Sequence, residues 1–64
     1  MADRFDYVNQ KALAVAIVAL EALPIDDRPV SDIADIKKLF DYMVPNAEMH
    51  ARLIWEAQKL VGQR

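Results

Sequence analysis

Three prolines, at positions 24, 29 and 45, decide how this chain can be divided. A proline ring removes a backbone donor and collides with the preceding helical turn, so helices end at or before it. The stretches before Pro24, between Pro29 and Pro45 and after Pro45 are helix-length, and none shows the alternation of apolar and polar residues that marks a half-buried strand. The implied fold is all-α, a three-helix bundle with helices over about 3–23, 32–44 and 46–61, forming one domain over residues 1–64. Pro24-Ile-Asp-Asp-Arg-Pro29 is the one real loop. Ser31 or Asp32 is placed to cap the second helix, and Asn46 the third. Asp35 adds negative charge to the first turn of the second helix. Gly62, the only glycine, stands where a left-handed C-terminal residue is wanted.

Stability is the next constraint. A chain of about 60 residues buries only about 60% of the surface its unfolded form exposes. This one has no cysteine, so disulfides and thiolate-bound metals are excluded as staples. Its 55% apolar content includes ten alanines, which bury little area each. Self-association is therefore a physical option. The net charge of −2 argues against a strongly cationic nucleic-acid binder, and the aliphatic content against a disordered tail. The longest apolar run, Ala12 to Leu20, is nine residues and closes at Glu21, too short for a membrane span. Asp3 and Asp6 precede it where a secretory signal would carry basic residues, so a cytoplasmic protein is expected. Met1 and the absence of linkers suggest a short complete product of the kind bacteria and phages encode.

Wheels at about 100° per residue assign faces to each helix. In the second, Ile33, Ile36, Leu39, Phe40, Met43 and Val44 form one core arc, with Lys37–Asp41 and Asp35–Lys38 placed to pair in water. In the third, Ala47, Met49, Leu53, Ile54, Ala57, Leu60 and Val61 share a side with His50. Glu48, Arg52, Glu56 and Lys59 alternate in sign on the other side, where Trp55 also falls. The first helix is apolar nearly all round. Its arc centres on Phe5, Ala12, Ala16, Ala19 and Leu23, where small residues permit close approach of another backbone. Ile17 and Val18 then fall on the side expected to be wet, beside Gln10, Ala14 and Glu21. Two explanations are open: the helix is sandwiched by its neighbours within one chain, or it meets a second copy.

Chemistry finds few handles. His50 is the only imidazole and Ser31 the only hydroxyl of the serine–threonine type. The tight glycine-permitted turns that usually shape an oxyanion hole are missing, so catalysis is not expected and His50 reads as a packed structural residue, with a pH-sensitive oligomer contact as the alternative. Asp26, Asp27, Asp32 and Asp35 cluster without EF-hand spacing, so neither a metal nor another cofactor is expected. The break Met43-Val44-Pro45-Asn46 resembles the turn of a helix-turn-helix, but Arg52 and Lys59 alternate with Glu48 and Glu56, and the remaining cations Arg4, Lys11, Arg28, Lys37, Lys38 and Arg64 are scattered.

The function expected from these features is a small, non-enzymatic, homodimeric adaptor or regulatory module acting by protein–protein contact. Its interface candidates are Ala12, Ala16, Ile17, Val18, Ala19, Tyr42 and Trp55. Tryptophan is enriched among interface anchors, and Tyr42 also points outward by the wheel. The competing reading covers Trp55 with the first helix or the Phe5–Tyr7 segment. A dimeric DNA-associated regulator is the alternative function, and a ligand-binding protein a further one.

Overall fold

A computed structural model describes the backbone of residues 4–62 and the side chains of residues 7–62. Asp3, Arg64 and the side chains of Arg4, Phe5 and Asp6, all of which figure in the sequence pattern, lie outside the described residues. The three expected helices are present, with no strand among the described residues: α1 (Arg4–Glu21), α2 (Val30–Met43) and α3 (Ala47–Gly62). The loop holds a single 3-10 turn at Ile25–Asp27.

Local chemistry accounts for most of the boundaries. Ahead of Pro24, α1 winds down through bonds from the Ala22 amide to Val18 O (3.1 Å) and the Leu23 amide to Leu20 O (3.2 Å). Arg28 Nε then donates to Leu23 O at 2.7 Å, satisfying a carbonyl that the helix leaves orphaned and pinning the loop back on α1. Asn46 caps α3 as expected: its Oδ1 accepts from the Met49 amide at 3.0 Å.

Two end assignments differ from expectation. The second helix starts directly after Pro29, whose carbonyl accepts the first helical bond from the Ile33 amide at 2.9 Å. Ser31 and Asp32 therefore sit inside the first turn rather than capping it. Gly62 is the last helical residue and has no positive φ; it faces open space, where nothing forces the chain to reverse.

The fold is organised around α1, against which both α2 and α3 pack. Helix α2 runs antiparallel to α1: Lys37 meets Glu21 at one end (2.6 Å), and Gln10 Nε2 donates to Met43 O at the other (3.4 Å). The core cluster draws on all three helices and the α2–α3 junction, with Ala14 and Ile17, Phe40 and Val44, and Leu53 and Ala57. Phe40 and Leu53 are its largest fully buried side chains. Ala14 and Ala57 allow the helix axes to come close, because an alanine at a crossing leaves room for the neighbour's ridge. Ile33 is buried as well, while Leu39, at the edge of the arc expected for α2, is exposed.

The largest correction concerns the roll of α1. Ala14 and Ile17, expected on the wet side, are 0% and 3% exposed, while Ala12 and Ala19 face outward. The alanine arc thus lies about half a turn away from the true inner face. Burial of Ile17, with Leu13 and Val18 against the same cluster, outweighs what the alanine arc could bury, and Gln10 and Glu21 fit the reversal. Both resemble solvent markers in the sequence, yet one bonds to Met43 and the other to Lys37, so the face that carries them is the one turned inward. Ile17 needs no second copy to cover it, since its own chain does so. Val18 is half-buried against the same cluster.

This orientation makes Ala14 and Ala12 respond differently to the same change. Ala14→Leu is expected to cost about 1–3 kcal/mol of unfolding free energy by overpacking a filled core, while Ala12→Leu stays within about 0.5 kcal/mol of the parent monomer. Urea titration of both variants checks this, and a larger loss at Ala12 would reverse the assignment of the inner face.

Candidate interaction surfaces

His50 sits in the first turn of α3 and closes the junction with α2. Its Nε2 lies 2.8 Å from Asp41 Oδ1, with the carboxylate accepting, and its ring lies 4.5 Å from the Phe40 ring at an interplanar angle of 51°. The imidazole is half-buried by this packing, which ties the C-terminal turn of α2 to α3. Ser31 is on the opposite end of α2, ten residues before Asp41 and so about 15 Å away along the helix. The only serine and the only histidine are therefore not brought together. Asp26, Asp27, Asp32 and Asp35 are exposed, and no group of three or more metal-capable side chains converges among the described residues.

The charged residues do not satisfy one another along each helix, as their spacing suggests. The ion pairs among the described residues join different helices: Lys11–Glu56 at 3.6 Å, Lys37–Glu21 at 2.6 Å and His50–Asp41. Glu56 also accepts from the Tyr7 hydroxyl at 3.0 Å. A pair within one exposed helix contributes only a few tenths of a kcal/mol, so a partly shielded partner on a neighbouring helix readily takes the carboxylate instead.

That exchange reshapes the outer face of α3. With Glu56 drawn toward α1, neither Arg52 nor Lys59 reaches a carboxylate within 4 Å among the described residues. Lys59 Nζ instead lies 4.5 Å from the centroid of the Trp55 ring, in cation–π range. Trp55 is 58% exposed, so neither α1 nor Tyr7 covers it. Tyr42 is 83% exposed, but no ring contact joins it to Trp55; the aromatic pair among the described residues is Phe40–His50.

A second surface follows the outer side of α1. Val8, Ala12, Val15 and Ala16 line an apolar groove of about 580 Å³ that Leu60 of α3 walls on one side, with Tyr7 and Lys11 at its edge. Ala19 and Leu23 continue the exposed stripe beyond it. A larger open cleft of about 780 Å³ lies at the α2–α3 junction between Gln10, Met43, Pro45, Asn46, Met49 and Arg52. Of the seven expected interface residues, Ala12, Ala16, Ala19, Tyr42 and Trp55 retain accessible surface, whereas Ile17 is enclosed and Val18 serves mainly intrachain packing. Helical periodicity does not single out the tying residues Gln10, Glu21, Tyr7 and Glu56. Their signal in the sequence is a polar group standing alone at either end of an apolar helix face, or beside one.

Comparison with protein-family models, curated proteins and solved structures gives no match, so these surfaces are the basis for a functional reading.

The same geometry separates Glu56 from its neighbours on α3 by their effect on folding. Glu56→Ala is expected to cost about 1 kcal/mol, since it deprives both the Tyr7 hydroxyl and Lys11 of their partner. Arg52→Ala and Trp55→Ala should each stay within about 0.5 kcal/mol of the parent chain. Chemical denaturation measures all three, and unfolding of the Trp55 variant would return that residue to the core.

Proposed function

We propose that this protein is a non-enzymatic helical module that acts through protein–protein contact, pairing with a second copy of itself along the outer face of α1 in an adaptor or regulatory role. The observation that carries the reading is the composition of that face. From Val8 through Ala12, Ala16 and Ala19 to Leu23 it bears no charge, with Lys11 only at its edge, although these residues keep accessible surface outside the chain's own core cluster. A surface without charge is best met by another without charge. The same stripe on a second copy fits, with alanines at the line of closest approach and larger residues interlocking beside them.

No helix among the described residues is long and apolar enough to cross a membrane.

Molar mass by sedimentation across concentration tests the proposal. The expected result is a rise toward about twice the chain mass as concentration increases, by mass action. Ala12→Glu and Ala19→Glu should each hold the protein at monomer mass with unchanged helical circular dichroism, because a charge at the contact line must be desolvated there. A parent chain that stays monomeric at every concentration overturns it.

A further inference from the structure

We infer that the outer face of α3 docks an acidic, amphipathic helical segment of a partner protein, with Trp55 as the central anchor and Arg52 and Lys59 as the groups that read its carboxylates. This goes beyond the self-pairing proposed for α1 and uses a different face, so either can fail without the other.

The inference begins with where Glu56 goes. In the sequence, Glu48 and Glu56 are spaced to neutralise Arg52 and Lys59, which would leave an evenly mixed surface. In the fold, Tyr7 and Lys11 take the Glu56 carboxylate toward α1, and the two cations keep no acidic partner within 4 Å among the described residues. Arg52 and Lys59 thus flank Trp55 with their charges free to meet a partner's carboxylates, while Glu48 marks the N-terminal limit of that cationic pair. Arg52 and Lys59 are one heptad apart, about 10.5 Å along the helix, and project on the same side with Trp55 between them. A partner helix carrying two acidic residues at that spacing, with an apolar residue between, matches the pair in charge and in period.

Trp55 supplies the apolar centre. It is the only tryptophan, it is more than half exposed, and the Lys59 ammonium already rests against its ring. An exposed aromatic rimmed by polar groups is the arrangement in which interface anchors act, because the rim excludes water once the partner is seated. Glu48, exposed on the same face one turn before Arg52, favours a protein segment over a nucleic acid: a continuous phosphate backbone would be repelled there, whereas a helix can place a neutral or basic residue opposite it.

The test uses the full chain and the fluorescence of Trp55. The probe is a synthetic amphipathic helical peptide with glutamates one heptad apart flanking a leucine; controls are the same peptide with lysines and a single-stranded oligothymidylate. The acidic peptide is expected to shift the tryptophan emission to shorter wavelength saturably, and to bind about tenfold more weakly when salt is raised severalfold. Arg52→Glu combined with Lys59→Glu should lower affinity at least about tenfold with unchanged circular dichroism. Trp55→Ala, read by anisotropy of a labelled peptide, should do the same. No emission shift, equal binding of the lysine peptide, tighter binding of the oligothymidylate, or a change in molar mass of the Arg52/Lys59 double variant without peptide would each overturn the assignment.

Discussion

Burial of Ala14 of α1 and Ala57 of α3 in one core cluster is the packing on which the remaining structure depends. Neither side chain contributes much apolar area, but each is fully enclosed, and their small size lets two helices share one narrow core with Phe40 and Leu53. In a chain of 64 residues without disulfides, the interior is too small to tolerate a wide separation between helices. Buried alanine here gives proximity, and proximity allows a few large side chains to complete the core.

Polar ties then reinforce what the core sets. A helix with apolar residues on nearly every side still has a heavier one: Ile17 enters the core and Leu13 and Val18 pack against it, while Ala12 and Ala19 stay outside. Gln10 and Glu21 reinforce that roll of α1 through their partners on α2. Glu56 does the same between α3 and α1 through Tyr7 and Lys11. Each contact is modest alone, and together they reinforce the packing that burial favours. That packing turns the alanine stripe outward and leaves Arg52, Trp55 and Lys59 facing solvent. Both proposed surfaces are what it leaves open.

Local rules make much of this fold legible in the amino-acid sequence. The prolines at 24, 29 and 45 delimit three helices because their effect on the backbone is local and nearly independent of context. Asn46 as a cap, and the burial of Ile33, Phe40 and Leu53, follow from equally local rules. The departures from expectation arise where a competitor lies outside the pattern. Ser31 and Asp32 are good capping residues, but Pro29 starts the helix ahead of them through its own fixed φ. A wheel puts Ile17 in solvent because Gln10 and Glu21 beside it look hydrophilic, and their partners 33 and 16 residues further along are invisible to it. Charges on α3 cancel on paper because spacing records which residues are neighbours along a helix, whereas a tertiary competitor decides which pair forms.

By itself, then, the sequence determined the all-α class, the number of helices and, within a residue or two, where most of them begin and end. Those properties arise from interactions between residues a few positions apart. Only the tertiary structure decided which side of α1 is core, that Ile17 is covered by its own chain, and that Trp55 stands exposed beside two cations with no acidic partner among the described residues. The physical reason is that α1 offers hydrophobic surface in almost every direction, so its roll depends on how its bulkier side chains, Leu13, Ile17 and Val18, and its few polar groups meet the other helices.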